Sequence, residues 1–595
     1  MSIYSVKANN EVIEFDPEEI RQLYQAGEYG EITRKFILVL TQLEHLQMIR
    51  VGDDYRKFIN MLVKTLLEIL TNEEFTIPRN LSMLLVSKNA VISNLVCISS
   101  FKTTDPWLEI LLTQKKNVIK LLVLYSHRNR IQIDQKLFFD QNPQLASQWY
   151  AFNLASADAF VTSESYNNCR KLLSSIDERL VYNGVQSLSA YMRCSYVDPV
   201  NDRIYKQHLN RIIKPVFRDF RITNKPDNKS ILVVTGRWSS NTAVYKSNYK
   251  LIEALADDYN LTLLDIKIPN RKEIDSSLFD RVITIEQKNN NLDLSEIRNN
   301  NFILAYFPDV GMVDISSYLG NLRICPIQVM GYGHPVSTFG SEIDYVIGGQ
   351  QVENYEGVES DYSERLVLIP GIGVTPIVEV TTQEVHTEPV SSDKLTITCA
   401  WGVHKVNYPM IETLKEIARQ ATRKVRYQFL QTAIMTRCSY VAYKEEMFRA
   451  FGDIEIIIEA NRPNPDYVGL LRKGDLAIDA YPFGGYNTIV DNLMLDKPIV
   501  TWQGNRTFNR AASACLQQLG LEELIATDRD SYIEKTLRLI GDESYRLQVA
   551  KKIAGLDILK SLEDASNPQY FRKAIDYLIA SHNRLKNSKK PILIR

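Results

Sequence analysis

The chain has 595 residues, of which 45% are hydrophobic and 24% charged, so it is too long for one core and too apolar to be disordered or fibrous. Lys+Arg at 70 against Asp+Glu at 71 leave a formal charge of -1, and no window joins basic and aromatic residues at the density of a nucleic-acid surface. Seven scattered cysteines, an odd number without a CxxC pair, argue against a disulfide framework and a zinc site and suit a reducing compartment.

The N-terminal text MSIYSVKANNEVIEFD lacks the apolar core of a signal peptide, and no apolar run approaches the roughly 18 residues that cross a bilayer. A cytoplasmic protein without a membrane span is expected. From Pro17 to about Lys214 helical periodicity dominates, as in Leu62, Leu66, Ile69 and Leu70 on one face of a segment opening near Tyr55. This predicts an all-helical N-terminal domain over residues 1–222. Within it, Leu23-Tyr24-Gln25-Ala26-Gly27-Glu28-Tyr29 reads as the turn of a helical hairpin, and no 34-residue period follows to make it a repeat array.

Residues 224–229, Asn-Lys-Pro-Asp-Asn-Lys, form a polar linker before the buried-strand run Ser230 to Thr235. Short apolar runs then alternate with helical text at Leu261 to Ile266, Arg281 to Ile285, Phe302 to Tyr306, Ile327 to Met330 and Tyr345 to Ile347, the rhythm of βαβ units and a parallel sheet. The rhythm pauses at Thr375 to Lys394 and resumes at Leu395 to Thr398, Val425 to Phe429, Ile454 to Ile458, Asp475 to Ile478 and Pro498 to Thr501. The expected fold is α/β, with a first Rossmann-like lobe at 223–378 and a second at 379–595 that includes C-terminal helices. The Lys/Arg-rich tail from Asn583 reads as a solvated terminus. Ligands of such sheets bind beyond the carboxyl ends of the strands, so chemistry is sought in the turns that follow them.

Four such turns carry polar groups. In the first βα turn Ser239, Ser240, Asn241 and Thr242 can face an acceptor or phosphates, or cap the following helix. The run Gln328-Val-Met-Gly-Tyr-Gly-His-Pro335 places His334 in a Gly-rich turn, where it can serve acid–base chemistry or be structural. Lys405, in Trp401-Gly-Val-His-Lys-Val-Asn407 after a strand, can neutralise a departing leaving group or be a surface lysine. In Asp479-Ala-Tyr-Pro-Phe-Gly-Gly-Tyr-Asn-Thr-Ile-Val-Asp491, Gly484 and Gly485 permit close backbone approach, the next helix offers N–H groups to an anion, and Asn487 and Asp491 share one helical face. A tight turn with an N-cap Asn and a surface Asp is the alternative for that stretch.

Further segments carry a resemblance: Asp309-Val-Gly-Met312, Asn321-Leu-Arg323, Pro326 to Met330 with Gly333-His-Pro335, Ile343-Asp-Tyr345, Tyr362-Ser-Glu-Arg-Leu366 with Leu368-Ile-Pro-Gly371, Pro482-Phe-Gly484 with Asn487 and Asp491, and Arg510-Ala-Ala512 with Leu519-Gly520. In this order, over roughly 187 to 550, they resemble the protein glycosyltransferases that include O-GlcNAc transferase and the bacterial cytoplasmic N-glycosyltransferases. The stretch Tyr191-Met-Arg-Cys-Ser-Tyr196 is similar to the bacterial branch.

The resemblance implies a GT-B fold, a UDP-hexose donor, inversion at the anomeric carbon, no metal cofactor and an acceptor protein modified at Asn in Asn-x-Ser/Thr. By matched position Lys405 would contact the diphosphate, with Gly484, Gly485, Asn487 and Thr488 holding the phosphates and Asp491 the ribose. His334 and Gln431 would line the donor pocket. Ser240, Asn241, Thr242 and Arg193 would lie on the acceptor side, where Thr242 and Arg193 stand in place of family histidine or acidic groups. An O-linked hexosyl- or GlcNAc transferase, or a non-catalytic nucleotide-sugar-binding scaffold, are the alternatives. The DxD match Asp528-Arg-Asp530, which in other glycosyltransferases would hold a metal, reads instead as an acidic helix cap.

Overall fold

The computed structural model describes the chain except residues 1–3, 9–10, 48–50, 115–116, 157–158, 268–272, 286, 289–290, 356, 378–393, 431–436, 461–463 and 586–587. Most of the Thr375 to Lys394 pause therefore lies outside the described residues. The chain forms two compact units, one of residues 1–201, 402–415 and 429–462, the other of 202–401, 416–428 and 463–595.

The first unit is mainly helical. It opens, against the all-helical expectation, on an antiparallel hairpin of Tyr4–Ala8 and Glu11–Phe15 with Val6 opposite Ile13. Alternation explains it: Val6, Ile13 and Phe15 are buried, and Phe15 meets the rings of Phe36 and Phe58 at 6.2 and 6.5 Å. The periodic stretch near Tyr55 is a helix over Asp53–Thr71, and Leu62, Leu66, Ile69 and Leu70 are buried on it. The helices Pro17–Gln25 and Tyr29–His45 form the expected hairpin, with Gly27 at φ 75° and the Glu28 N–H closing onto the Leu23 carbonyl at 2.9 Å.

In the same unit the helix Cys438–Phe451 packs on Asn89–Ile98. Arg128 grips Glu446 of that helix with two parallel hydrogen bonds, Nε to Oε1 at 2.9 Å and Nη2 to Oε2 at 3.2 Å, while its Nη1 reaches Ser93 Oγ at 3.1 Å. Among the described residues no single helix is long and apolar enough to cross a membrane.

The second unit contains an eight-stranded sheet in the order Ile592–Leu593, Arg365–Ile369, Tyr345–Gly349, Ile327–Met330, Phe302–Phe307, Asp227–Thr235, Asn260–Ile266 and Arg281–Ile285. All neighbours are parallel. Parallel strands are covered on both faces, and alternate residues of Asp227–Thr235 serve separate cores: Ile231 and Val233 pack with one cluster, Leu232 and Val234 with the other.

Four sequence expectations are corrected here. The first strand begins at Asp227, inside the expected linker, because the Asp227 N–H is taken by the Asn301 carbonyl at 2.7 Å. The strand Arg365–Ile369, not counted in the first series, extends the sheet. The tail is not merely solvated: Pro-Ile-Leu-Ile at 591–594 supplies an edge strand, with Val367 opposite Ile592, and buries Ile592 and Ile594. The helix Gln569–Leu585, read with the second lobe, likewise places Phe571, Ile575 and Leu578 in the first sheet's core.

The second lobe's strands in this unit run Leu395–Cys399, Leu476–Ile478, Ile499–Trp502 and Ile525–Ala526 in parallel register, with Val425–Leu430 flanking Leu395–Cys399. Asp528 caps the helix Arg529–Gly541, its Oδ1 accepting from the Ser531 N–H at 2.8 Å.

Candidate active site

The turn after Leu476–Ile478 is built around the buried carboxylate of Asp479. Its Oδ1 accepts from the N–H groups of Ala480 and Gly485, both at 2.9 Å, and its Oδ2 from the Thr501 hydroxyl at 3.2 Å. The Gly484 N–H donates to the Phe508 carbonyl at 2.8 Å. Both glycine N–H groups are thus engaged within the protein, and a Cβ on Gly484 would stand 2.8 Å from Asp479 Oδ2. A Cβ on Gly485 would stand 2.4 Å from Thr488 Oγ1 and 3.3 Å from Asp479 Oδ1. Gly485→Ala is expected to destabilise the protein by about 1–3 kcal/mol, the usual cost of overpacking, as measured by urea unfolding.

The helix that follows, Asn487–Leu493, has only seven residues, so its dipole is weaker than the sequence implied, and its N-cap is Tyr486 rather than Asn487. Asn487 and Thr488 are half-buried at its start. Asp491, one turn on, receives the Tyr467 hydroxyl at 3.4 Å. Burial pushes its carboxyl up to about 6, against the opposing effects of the Lys246 charge and of that hydroxyl.

His334, buried in the Gly-rich turn after Ile327–Met330, stacks on Phe483 of the Asp479 turn, with ring centroids 5.6 Å apart and planes within 9°. Phe483 stacks in turn on Phe508 at 5.0 Å. Burial, with the Lys206 charge adding to it, holds the imidazole well below its ordinary range and therefore neutral near pH 7. The loop beyond is fastened by Glu364, which accepts from Ser337 Oγ at 2.6 Å and the Thr338 N–H at 2.9 Å.

In the first βα turn Asp309 Oδ2 accepts from Thr235 Oγ1 at 2.7 Å and the Gly236 N–H at 3.1 Å, and burial raises this carboxyl to about 6. Thr242 is the N-cap of Ala243–Glu253, with its oxygen accepting from the Tyr245 N–H at 3.2 Å, while Ser240 and Asn241 are exposed.

The second unit therefore holds Ser240, Asn241, Thr242, His334, Gly484, Gly485, Asn487, Thr488 and Asp491, and it joins His334 to the Asp479 turn. Lys405, in the 3-10 turn Val403–Lys405, and Arg193, in the helix Val185–Val197, are half-buried members of the first unit. Gln431 lies outside the described residues. Sequence reasoning missed Asp479, Phe483 and Tyr467. An Asp directly after a strand and before Gly-Gly was a usable signal for the first, whereas nothing local marks Tyr467 as a partner of Asp491.

Residues 378–567 match the family model described as glycosyl transferase family 41. The chain is 25% identical over 466 residues to a UDP-glucose:protein N-beta-glucosyltransferase of Actinobacillus pleuropneumoniae serotype 5b (strain L20), covering 74% of each chain. A 79-residue stretch, 13% of this chain and 8% of the relative, is 29% identical to the tomato (Solanum lycopersicum) probable UDP-N-acetylglucosamine--peptide N-acetylglucosaminyltransferase SPINDLY. Among solved structures, a mutant O-GlcNAc transferase of Thermobaculum terrenum superposes with a TM-score of 0.52 at 18% identity, over 88% of this chain and 96% of that one.

A helical region followed by two Rossmann-like lobes, with these likenesses, defines a GT-B glycosyltransferase. The stretch 378–567 carries the likeness to glycosyl transferase family 41, and along 74% of its length the chain is similar to a bacterial protein glucosyltransferase.

Proposed function

We propose that the protein moves glucose from UDP-glucose to the amide nitrogen of Asn in Asn-x-Ser/Thr of an acceptor protein, with inversion and without a metal. The observation that carries this reading is the match, along 74% of the chain, to a relative named as a UDP-glucose:protein N-beta-glucosyltransferase. In the reaction the bond from the anomeric carbon to the β-phosphate oxygen breaks as the amide nitrogen attacks from the opposite face. UDP leaves with the bonding pair, and the amide gives up one proton.

Asp491 receives the ribose hydroxyls, and Asn487 and Thr488, on the turn that Asp479 braces, receive the diphosphate. By its matched position Lys405 is the residue proposed to neutralise the leaving-group charge. Asp528 is occupied as a helix cap, which leaves the one DxD match without a metal role. The neutral His334 ring is able to accept a hydrogen bond from the acceptor or the donor sugar, and the donor's α-phosphate is the other proton acceptor within the reaction. Ser240, Asn241 and Thr242 of the first βα turn are proposed for the acceptor side. Seven buried free cysteines suit a cytoplasmic enzyme.

The test is UDP release by purified protein in EDTA, with UDP-glucose, UDP-galactose or UDP-GlcNAc against Asn-x-Ser/Thr and Ser/Thr-rich peptides. Turnover with UDP-glucose and the Asn peptide alone is expected. Turnover only with UDP-GlcNAc and Ser/Thr peptides, or only after a divalent ion is restored, would replace this reading.

A further inference from the structure

Glu353 lies in the loop after Tyr345–Gly349 of the first lobe and is buried. One of its oxygens, Oε1, collects three hydroxyls: Tyr332, Tyr362 at 2.8 Å and Thr507 at 2.5 Å. Tyr332 and Tyr362 belong to the first lobe. Thr507 opens the 3-10 turn Thr507–Asn509 that follows Ile499–Trp502 of the second, and its hydroxyl also lies 3.1 Å from that of Tyr362. Beside this seam Arg506 forms an ion pair with Asp361 at 2.8 Å.

What Thr507 carries matters more than the seam itself. The next residue, Phe508, takes the Gly484 N–H on its carbonyl at 2.8 Å and stacks its ring on Phe483 at 5.0 Å. The turn proposed to hold the donor diphosphate therefore hangs from Phe508 on one side and from Asp479 on the other. A carboxylate oxygen accepting three hydroxyls, buried where water cannot replace them, is a stiff anchor, because each freed hydroxyl would be left unsatisfied.

We infer that Glu353 is a positioning residue that sets the geometry of the donor turn from the opposite lobe, through Thr507 and Phe508. This rests on the donor role assigned above to residues 484–491. Both tyrosine hydroxyls keep their protons, since burial, with the Glu353 charge adding to it, pushes each well above its ordinary range. They remain donors, and Glu353 remains the acceptor on which the two lobes converge. An amide at this position has a carbonyl oxygen, a weaker acceptor, and an NH2 that opposes hydroxyl donors.

The experiment compares Thr507→Val, which removes the hydroxyl at nearly constant shape, with Thr507→Ser, which keeps it, alongside Glu353→Gln and the Glu353→Gln/Thr507→Val double variant. In the full-length protein without ligand, amide exchange over residues 479–490 is expected to quicken about tenfold in Thr507→Val and Glu353→Gln, and to stay near wild type in Thr507→Ser. By calorimetry UDP should bind about tenfold more weakly to the same two variants, and the double variant should be little worse than either single one. Unchanged exchange in Thr507→Val, or equal losses in Thr507→Ser and Thr507→Val, overturns the inference. If exchange responds as expected but the wild type does not bind UDP, the coupling stands and the donor assignment fails.

Discussion

Lys405→Ala is expected to lower turnover by about 10²–10³-fold while weakening UDP-glucose binding by less than tenfold. The asymmetry follows from when the charge develops: the diphosphate of a bound UDP-sugar gains negative charge as the anomeric bond breaks. A cation aimed at it therefore stabilises the transition state more than the ground state. Losing one preorganised group of this kind costs about 3–4 kcal/mol of barrier, which is the quoted factor. Single-turnover transfer of labelled glucose, beside calorimetric affinity for UDP-glucose without acceptor, checks both halves. Lys405→Arg should recover part of the rate, because charge is retained but the ammonium's compact geometry is not. Equal losses in rate and affinity would show that Lys405 binds the ground state only, and no loss would remove it from the mechanism.

Asp491 gives the second large effect, with two readouts of opposite sign. Its folded carboxyl, raised to about 6 by burial, stands above the usual unfolded value of about 3.9. The folded protein therefore holds this proton at pH values where the unfolded chain has lost it. The stability linked to the proton is fully present below about pH 4 and is lost as pH rises through 6, a difference of roughly 3 kcal/mol. Asp491→Asn should accordingly stabilise the ligand-free protein at pH 8, as followed by urea unfolding. Ribose hydroxyls, however, donate to a carboxylate, so UDP prefers the ionised form. Wild-type affinity is expected to fall about tenfold between pH 7 and pH 5, and Asp491→Asn should bind UDP about 30–100-fold more weakly at pH 7 with that pH dependence gone. A wild-type affinity flat across this range would take Asp491 out of the ribose site.

Much of the frame was legible because it rests on local rules. Period-2 and buried apolar runs located Asp227–Thr235, Asn260–Ile266, Ile327–Met330 and Leu395–Cys399 to within a few residues, and an acidic residue before a helical run identified the Asp528 cap. The hairpin Tyr4–Ala8 and Glu11–Phe15 was hidden by its shortness, since five residues of alternation are easily absorbed into neighbouring helical text. The turns that carry His334, Lys405 and Asp491 were readable from strand ends. Of the residues that brace the donor turn and its helix, Asp479 left a local signal, whereas Tyr467 and Glu353 did not, because they act on Asp491 and Thr507, 24 and 154 residues away.

The sequence by itself therefore determined the class of fold, the rhythm of its strands and the residue types available at each strand end, all of which follow from periodicity and backbone propensity. Only the tertiary structure decided that the last strand and helix return to the first sheet, that Gly484 and Gly485 turn their N–H groups inward to Phe508 and Asp479, and that His334 lies flat on Phe483. The physical reason is common to these cases. Burial converts a polar or ionisable side chain into one that must find a partner, and partners for buried groups come from whichever segment the packing brings near, at any distance along the chain.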